Sequence, residues 1–523
     1  MTTVFKFLII WVLLNITTKC GGENLLTEND EERMHPDLVP FDTSQINSAE
    51  LNSEYWIENA QKAIKEKLAI NKNEKKAKNI IFFLGDGMSV HTLTATRAYL
   101  KDVSHQLSFE KFPYVGLSKT YCVNAQVADS ACSATAYFTG VKNNIDMIGV
   151  TAEVESRACD ETKVVKNRVD SIAKWAQDSD MSTGIVTTTR VTHATPAGTY
   201  ASIAHRDWEC DTWISEKCKS YSIKDIAYQL IHGDTGKNFK VILGGGRSLF
   251  LNESMRGEEG ETGTRQDGKN LIQEWLDDKK KQNINAKYIW NRKELLSTDT
   301  SKIDYLLGLF SPDHLPYHGD RIRSFTDKGD PSLSEMTETA LKILSKNSNG
   351  FFLLVEGGRI DHAHHYVKAR KALEETVEFA NAVEIANKMF DGDDETLIIV
   401  TSDHSHTMTV NGYPNRNSNI LGLSDSLDDK GKKYAILSYA NGDGFYTIFP
   451  KNGTEKRDIE RDDFEDAEYN YPSHVPLEKE THGGEDVAIF AKGPQAQLFV
   501  GNYEQSYIPI LLAKIAQIGP YKL

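Results

Sequence analysis

Six short runs of mainly apolar residues constrain the fold of this chain more than any other feature. The runs cover residues 80–84, 184–188, 239–243, 351–355, 397–401 and 487–490. Continuous runs of this length are typical of strands buried on both faces, as in parallel sheets covered by helices. Longer mixed segments separate the runs and leave room for such helices. The sequence therefore predicts an α/β fold with a large, mostly parallel central sheet flanked by helices.

The rest of the pattern predicts one helix before the first strand and three insertions after it. Apolar residues recur at three- and four-residue steps between Trp56 and Leu68, which indicates an amphipathic helix. Polar stretches, two of them also rich in glycine, occupy residues 252–267, 411–433 and 451–480. The chain is long enough for about three domains. Because the runs fit one sheet, we expect one large domain over residues 51–523, with a smaller inserted crown-like region at about residues 411–480.

The first twenty residues have the order of a secretory signal peptide. Lys6 precedes the apolar run 7–14, and polar residues follow as far as Cys20. A transmembrane anchor would need about 20 apolar residues, so we predict cleavage near Cys20 and secretion. Residues 21–50 are acidic and aperiodic, and we interpret them as a mobile segment. The C-terminus lacks the hydrophobic tail of a GPI signal, so it does not support membrane attachment.

Export has consequences for the cysteines and for two asparagines. Removing Cys20 from the six cysteines leaves five: Cys122, Cys132, Cys159, Cys210 and Cys218. An odd number in an oxidising compartment leaves at least one cysteine free or paired between chains. Asn252 and Asn452 each begin an Asn-x-Ser/Thr sequence in a polar stretch, so we predict that both are exposed and glycosylated.

The charge balance argues against one class of partner. Sixty basic and 75 acidic residues give a formal net charge of −15. A protein that binds duplex nucleic acid needs a positive face to neutralise phosphates. We therefore expect no nucleic acid partner.

Three of the predicted strands end in a carboxylate. Asp86 follows the first run, Glu356 the fourth and Asp403 the fifth. A single acid after a strand is often only a helix cap. Three such acids are different, because ligands of open α/β sheets bind at the carboxyl ends of the strands. We expect these side chains to converge on one site.

Histidines near the same strand ends suggest a metal centre. Asp361 and His365 are four residues apart, which places them on one face of a helix. His404 and His406 form a second group, and His482 stands alone. Carboxylate and imidazole are ligands that suit zinc. Since these candidates exceed one tetrahedral set, the sequence implies two or three metals, and paired metals are typical of phosphoryl displacement.

The candidate nucleophile and phosphate-binding residues have weaker signals. Ser130 begins a segment of small residues after Asp129, and a helix N-terminus favours anions. Asp-Ser at a helix start is otherwise a common capping pair. Arg206 is suited to a bidentate phosphate contact, although a surface arginine would look the same. We interpret Gly244 to Arg247 as a tight turn, because the sequence lacks a P-loop pattern.

Eight segments resemble, in order, those of animal alkaline phosphatases. They are IIFFLGDGMS, NAQVADSACSATAYFTGVK, TRVTHATPAGTYA, VILGGGR, GTRQDGKNL, FFLLVEGGRIDHAHH, VTSDHSH and ETHGGEDVAIFAKGPQA. The similarity runs from about residue 50 to the end. It implies the fold of that family and a homodimeric phosphomonoesterase, secreted or at the cell surface. It also implies two Zn²⁺ and one Mg²⁺ per subunit, and small-molecule phosphate monoesters of broad range hydrolysed at alkaline pH.

The resemblance assigns roles to individual residues. Ser130 would be the nucleophile that forms a phosphoserine intermediate, and Arg206 would hold the phosphate. The implied ligands are Asp361, His365 and His482 for one zinc, Asp86, Ser130, Asp403 and His404 for the other, and Asp86, Thr195 and Glu356 for magnesium. The implied supporting residues beside these ligands are His193, His362, His406 and Asp129.

The chain also departs from the vertebrate pattern of that family. Thr195 replaces a serine but keeps the hydroxyl that a magnesium ligand needs. The match to a vertebrate calcium site is Phe310-Ser311 in place of Phe-Glu, with Asp330 kept, which does not favour a calcium ion.

Two cysteines bear on disulfide pairing in this comparison. Cys132 replaces a glycine two residues past the nucleophile, and we take it as the candidate free thiol. The family's first disulfide begins at a position matching Cys159. Its partner here is Cys218 or Cys210, and we favour Cys218.

Other functions remain as alternatives. A related phosphodiesterase would use a similar metal site, whereas a sulfatase would need a C-x-P-x-R sequence that is absent. A cell-surface receptor or a non-catalytic phosphate- or metal-binding protein of the same fold is the alternative outside the enzymes.

Overall fold

The structure is a computed structural model that describes residues 47–100, 103–324, 326, 329–451 and 455–521. The predicted signal peptide (residues 1–20), most of the predicted mobile segment (residues 21–50) and Asn452 lie outside these ranges. Within them, no helix is both long enough and apolar enough to cross a membrane.

Ten strands form the central sheet. The strands of the described residues are β1 (Asn79–Gly85), β2 (Tyr114–Lys119), β3 (Ser182–Arg190), β4 (Val241–Gly245), β5 (Ala286–Ile289), β6 (Tyr305–Leu309), β7 (Phe351–Gly357), β8 (Thr396–Thr401), β9 (Ser405–His406), β10 (Met408–Val410), β11 (Leu423–Leu427), β12 (Lys433–Ala435), β13 (Leu437–Gly442), β14 (Ser473–Pro476), β15 (His482–Gly483), β16 (Val487–Lys492) and β17 (Gly501–Glu504). The sheet order is β17-β2-β16-β8-β1-β7-β3-β4-β6-β5. Among the strands of the described residues in this sheet, only β16 runs antiparallel to its neighbours.

Helices cover the sheet and connect its strands. The α-helices of the described residues are α1 (Ser53–Leu68), α2 (Val90–Leu100), α3 (Ser130–Thr139), α4 (Glu161–Lys166), α5 (Ile172–Gln177), α6 (Ala194–Ala197), α7 (Ile226–His232), α8 (Leu271–Lys281), α9 (Arg292–Leu296), α10 (His318–Arg323), α11 (Leu333–Leu344), α12 (Arg359–His365), α13 (Ala369–Met389), α14 (Phe445–Ile448) and α15 (Tyr507–Ala516). Short 3-10 helices lie at Ser48–Leu51, Ser108–Lys111, Asp211–Trp213, Glu216–Cys218, Gly236–Asn238, Arg247–Phe250, Ala496–Phe499 and Gly519–Tyr521.

The predicted α/β fold with a mostly parallel sheet is confirmed. The runs at 80–84, 184–188, 351–355, 397–401 and 487–490 lie inside β1, β3, β7, β8 and β16. The run at 239–243 begins two residues too early, because the chain enters β4 from a 3-10 helix that ends at Asn238. The predicted amphipathic helix is α1, although none of its residues is buried within the chain.

Both faces of the sheet are buried at its central strands, such as β1, β7 and β8, which is why these strands are mostly apolar. Phe82 of β1 contacts Tyr137 and Phe138 of α3 on one face, with ring centroids 5.7 and 5.4 Å apart. On the other face Phe83 packs against Phe379 of α13 at 6.0 Å. Aromatic contacts of this size contribute to the core beyond their buried area. They fix α3 against the sheet, so that its first residue, Ser130, lies near the carboxyl edge of β1.

Small sheets apart from the central one lie within residues 408–476. β10, β13 and β14 form one of them, and β11 and β12 form another. They enclose a separate apolar cluster that includes Met408, Leu437, Tyr439 and Tyr471. The same cluster contains Ala95 of α2 and Leu373 of α13, so the region predicted at about residues 411–480 packs against helices of the main fold.

The disulfides confirm one cysteine prediction and correct another. Cys159 is bonded to Cys218, as expected. The prediction that Cys132 is a free thiol is wrong, because Cys132 is bonded to Cys122. Among the described cysteines the free one is Cys210, which is buried. Burial raises the pKa of the Cys210 thiol to about 12, so this thiol is unreactive at neutral pH.

The expectation that Asn252 is exposed is also wrong. The residue is only 9% exposed, and its Nδ2, the atom that would carry a glycan, donates to the carbonyl of Arg265 at 3.0 Å. Its Oδ1 accepts from the backbone N–H and hydroxyl of Ser254. The side chain thus holds its own loop together.

Candidate active site

The three strand-end carboxylates meet at the carboxyl edge of the sheet. β1 lies between β8 and β7, and Leu84 is in register with Glu356 on one side and Thr401 on the other. Asp86 and Asp403 follow directly beyond this level. All three acids are completely buried, as the sequence pattern led us to expect of converging side chains.

A first cluster consists of Asp361, His365 and His482. Asp361 and His365 lie one turn apart on α12, and their Oδ1 and Nε2 atoms are 3.4 Å apart. His482 on β15 places its Nε2 at 3.3 Å from Asp361 Oδ1 and 3.0 Å from His365 Nε2. Neighbouring ligand atoms of a tetrahedral zinc with bonds of about 2.0–2.1 Å are about 3.3 Å apart. The spacing of this cluster therefore fits a zinc ion.

A second cluster surrounds His404. Its Nε2 lies 3.4 Å from Asp86 Oδ1 and 3.2 Å from Asp403 Oδ2. The hydroxyl of Ser130 is 3.2 Å from the same nitrogen and 3.5 Å from Asp86 Oδ2. The two clusters adjoin, since the rings of His404 and His482 stack with centroids 3.5 Å apart. The arrangement offers two neighbouring metal sites with a serine oxygen at the second.

The imidazole rings of these clusters are oriented for metal binding. His365 Nδ1 donates to the carbonyl of Glu480 at 2.5 Å, and His482 Nδ1 donates to that of Ala128 at 2.7 Å. His404 Nδ1 donates to the carbonyl of Ser405 at 3.3 Å. Each Nε2 thus keeps its lone pair, and a backbone partner of this kind is typical of metal-bound histidines.

His406 differs from these ligands because both its nitrogens face carboxylates. Nε2 lies 2.7 Å from Asp361 Oδ1 and Nδ1 lies 2.6 Å from Glu480 Oε2. Burial opposes a charge on this ring, but Glu480 and Asp361 raise the pKa of His406 to about 10. His406 therefore supports Asp361 as a charged donor and has no free nitrogen for a metal.

A third group combines Asp86 with Glu356 and Thr195. Glu356 Oε2 accepts from the hydroxyls of Thr187 and Thr189 at 2.5 and 3.1 Å, which leaves Oε1 free. Within the described part of the chain, Glu356 Oε1, Thr195 Oγ1 and Asp86 Oδ1 are buried without a hydrogen-bond partner. Buried oxygens are seldom left unpaired. Oxygen donors of this kind fit a magnesium ion.

The buried acids repel one another in the absence of bound cations. Burial, followed by the charges of Asp403, Asp361 and Glu356, raises the pKa of Asp86 well above its usual range. Burial likewise raises the pKa of Glu356 to about 7 and that of Asp403 above its ordinary value. Divalent cations would remove this repulsion, because an adjacent positive charge favours ionised carboxylates.

Asp129 connects the serine to Arg206. It is the N-cap of α3, and its Oδ1 accepts from the backbone N–H of Cys132 at 3.1 Å. Its Oδ2 accepts from Arg206 Nη1 at 2.9 Å. Arg206 Nη2 lies 3.2 Å from His193 Nε2. The guanidinium is thus held beside the first turn of α3, and each terminal nitrogen keeps a second N–H for an anion.

His193 and His362 lie next to the third group as neutral rings. Burial, together with the charge of Arg206, lowers the pKa of His193 well below its usual range. Burial and Arg359 lower the pKa of His362 to about 3, and Arg359 Nη1 lies 2.8 Å from His362 Nδ1. The two rings are 5.4 Å apart. They keep this side of the site free of further positive charge near neutral pH.

The sequence analysis did not identify Glu480 as a residue of the site. Glu480 is buried, holds His406 with Oε2, accepts from the N–H and hydroxyl of Thr407 with Oε1 and receives His365 on its backbone carbonyl. It stands two residues before His482 in ETHGGED. That proximity is a signal, but no spacing rule distinguishes Glu480 from other acids in the same stretch.

The fold and the site together define a class of protein. A doubly covered parallel sheet with adjoining carboxylate and imidazole clusters around a serine hydroxyl is suited to a metal-dependent hydrolase of phosphate esters. Comparison with known proteins identifies the family. Residues 77–518 match the family model described as alkaline phosphatase, and the chain belongs to the alkaline phosphatase family.

Individual relatives agree with this assignment. The chain is 45% identical to a membrane-bound alkaline phosphatase of Bombyx mori over 94% of this chain and 90% of that one. It is 47% identical to the tissue-nonspecific alkaline phosphatase of Felis catus over 91% of both chains. A solved alkaline phosphatase from a psychrophilic Shewanella superposes with a TM-score of 0.57 at 25% identity, covering 84% of this chain and 99% of the other. The chain is accordingly a phosphomonoesterase.

Proposed function

We propose that this phosphomonoesterase hydrolyses a broad range of phosphate monoesters at alkaline pH through a phosphoserine at Ser130. The observation that carries the proposal is the position of Ser130 Oγ. It lies within 3.5 Å of Asp86 and His404 in the second cluster, and Arg206 is one ion pair away through Asp129. A nucleophile, a candidate metal and a phosphate anchor are therefore adjacent.

We propose two Zn²⁺ and one Mg²⁺ per subunit as its cofactors. One zinc would be held by Asp361, His365 and His482, and the other by Asp86, Ser130, Asp403 and His404; Asp86, Thr195 and Glu356 would hold magnesium. When bound, such cations lower the pKa of a coordinated hydroxyl or water and stabilise charge on a leaving oxygen. Alkaline pH would favour the ionised forms of the coordinated hydroxyl and the coordinated water.

The chain's own residues account for two displacements. Ser130 Oγ attacks phosphorus and the alcohol oxygen leaves from the opposite side. A water oxygen then displaces Ser130 Oγ, and inorganic phosphate is released. His404 Nε2 lies 3.2 Å from Ser130 Oγ, and a zinc ion held by His404 would take up the lone pair of this nitrogen and lower the pKa of the serine hydroxyl, in place of a histidine base. Arg206 and the N-terminus of α3 bind the phosphoryl oxygens. Because these groups contact only the phosphoryl group, the alcohol is weakly specified.

We expect a paired assay to separate monoester from diester hydrolysis. A diester has one anionic charge fewer, so it forfeits charge-assisted hydrogen bonds to Arg206, and we expect kcat/KM to favour the monoester by about a hundredfold. Steady-state rates for 4-nitrophenyl phosphate and bis(4-nitrophenyl) phosphate give this ratio with the same leaving group. A faster diester would identify the chain as a phosphodiesterase, and no hydrolysis of either by zinc-loaded protein would favour a non-catalytic binding protein.

Arg206→Ala should weaken phosphate binding more than turnover. The substitution removes a guanidinium that Asp129 and His193 hold in place, and we expect KM and the inhibition constant of inorganic phosphate to rise about 10- to 100-fold. Arg206→Lys is the matched control, because it keeps the charge without the planar fork. It should recover only part of the loss. Unchanged phosphate inhibition in Arg206→Ala would exclude this role.

We also propose secretion and a homodimer. Helix α1 has no buried residue, and Trp56, Ile57, Ile64 and Leu68 are more than half exposed. Trp56 Nε1 donates to the carbonyl of Glu50, and the Glu50 carboxylate pairs with Arg416, so the helix is held against the chain by its polar start. Its apolar face is left for a partner, and a second copy of the chain would cover it.

A further inference from the structure

A buried disulfide lies beside the nucleophile. Cys132 is in the first turn of α3, two residues after Ser130, and is bonded to Cys122 with a Cα–Cα distance of 5.8 Å. Both cysteines are only 2% exposed, and they cluster with Ala128. The bond closes the connection between β2 and α3, which we call the 120–129 segment.

The 120–129 segment carries contacts to two separate parts of the active site. The carbonyl of Ala128 accepts from His482 Nδ1 at 2.7 Å and thereby orients a ligand of the first cluster. Asp129 accepts from Arg206 at 2.9 Å and so holds the phosphate anchor. The position of this short segment therefore affects both a metal ligand and the group that binds phosphate.

The outer part of the 120–129 segment is mostly exposed and has few contacts with the fold. Tyr121, Val123, Asn124, Gln126 and Val127 are exposed. Its outer part is joined to the rest of the protein by hydrogen bonds from Val123 N–H to the carbonyl of Asn143 and from Ile145 N–H to Asn124 Oδ1. Tyr121 adds a contact with Lys142, whose Nζ lies 3.3 Å from the centre of the tyrosine ring, and a hydrogen bond to Glu504. Exposed segments with few buried contacts open easily. The disulfide is a buried covalent link between the start of the 120–129 segment, at Cys122, and the first turn of α3, at Cys132.

We propose that the Cys122–Cys132 disulfide keeps Ala128 and Asp129 in the positions from which they contact His482 and Arg206. Reduction of the disulfide would then weaken phosphate binding reversibly. The proposal rests on the proposed function of Ser130 and Arg206. Neither sulfur is assigned a chemical step in hydrolysis. The bond acts through Asp129 on Arg206 and through Ala128 on His482.

Reduction of this bond is an ordinary thiol–disulfide exchange. A thiolate of a dithiol reductant attacks one sulfur, which breaks the S–S bond and forms a mixed disulfide. The second thiol of the reductant then closes a ring and releases the other cysteine. Two electrons pass from the reductant to the protein, and each released thiolate takes up one proton. Because the bond is buried, we expect this exchange to be slow.

Zinc- and magnesium-loaded double variants test the proposal. Cys122→Ala/Cys132→Ala removes the bond without leaving a polar group in the apolar cluster, and Cys159→Ala/Cys218→Ala removes the other disulfide as the matched control. In the first variant we expect the inhibition constant of phosphate and KM to rise on the order of tenfold, with a smaller change in kcat. Amides of the 120–129 segment should exchange hydrogen at least about tenfold faster. The control should show neither change.

A measurement on protein that keeps Cys122 and Cys132 guards against a double variant that fails to fold. In the Cys159→Ala/Cys218→Ala background, treatment with dithiothreitol should produce the same shift in phosphate inhibition, and reoxidation should reverse it. Alkylation of Cys122 and Cys132 without reductant would overturn the proposal, as would unchanged exchange and unchanged phosphate inhibition after the bond is removed. The exchange measurement does not depend on catalysis, so it separates failure of this proposal from failure of the phosphoserine route.

Discussion

Ser130→Ala is expected to lower turnover by at least about 10⁴-fold while the protein keeps its zinc. The serine hydroxyl is the nucleophile that we assign to the first displacement, so the variant could hydrolyse the monoester only by direct attack of water. Zinc should remain, because Asp86, Asp403 and His404 still form the second cluster and the first cluster is untouched. Steady-state assays with 4-nitrophenyl phosphate and elemental analysis of the purified variant measure the two quantities.

A buried hydroxyl elsewhere in the same helix provides the control for Ser130. Thr139 ends α3, and its Oγ1 donates to the carbonyl of Thr135 at 2.6 Å. Thr139→Ala therefore tests what loss of a hydroxyl does to the helix, and we expect turnover within a few-fold of the parent. Phosphate from a labelled substrate should be trapped on Ser130 at acidic pH in the parent alone. A Ser130→Ala variant of near-normal rate, or a label on another residue, would refute the phosphoserine route.

The centre of the fold could be predicted because burial leaves a simple record in the sequence. β1, β7 and β8 are buried along their whole length, and most of their residues are apolar since helices cover both faces of the sheet there. Their ends are polar because the chain there reaches the site. Continuous apolar runs followed by Asp86, Glu356 and Asp403 were therefore sufficient to predict the converging carboxylates.

The edge of the sheet could not be predicted in this way. In β2 the valine and leucine at 115 and 117 are exposed, whereas Gly116 and Ser118 are buried. A Cβ at Gly116 would lie 2.1 Å from the carbonyl oxygen of Phe499, so close backbone packing excludes a larger residue there. The hydrophobic pattern of this strand is thus the reverse of its burial, and no rule based on apolar runs would find it.

The roles predicted for Arg206 and His482 depended on the family resemblance. Arg206 and His482 have no periodic neighbours, and their convergence on Ser130 is set by tertiary structure. The odd number of cysteines correctly predicted one unpaired thiol, but the number alone does not identify the residue. Cys132 pairs with Cys122 because the return of the chain from β2 to α3 brings their Cα atoms to 5.8 Å, a distance that a disulfide can span.

Removing the metals is expected to abolish activity and to lower the thermal midpoint by about 10 °C or more. Without cations, the buried carboxylates of Asp86, Glu356 and Asp403 lose their counter-charge. Dialysis against a chelator, followed by calorimetry and assay, measures both effects. Addition of zinc and magnesium should restore activity and midpoint together. A chelated protein with unchanged activity and midpoint would mean that the clusters hold no functional metal.

The difference in midpoint between the metal-loaded and metal-free protein should widen as pH rises from 7 to 9. His406 keeps its proton in the metal-free fold up to a pKa of about 10, against a usual 6.5. The stability it contributes is complete below pH 6.5 and is lost as pH rises towards 10, by about 2 to 3 kcal/mol between pH 7 and 9. The raised pKa of Asp86 acts in the same direction.

The stability contributed by bound metals and by the other histidines changes with pH in the opposite direction. His193, His362 and His404 have lowered pKa values, so they add stability as pH rises only up to about 6.5 and are neutral in both states above pH 7. Metal binding needs ionised carboxylates and therefore strengthens with pH. Calorimetry at pH 7, 8 and 9 with and without metals tests the result. A difference in midpoint that stays constant or narrows from pH 7 to 9 would contradict the raised pKa values of His406 and Asp86 in the metal-free protein.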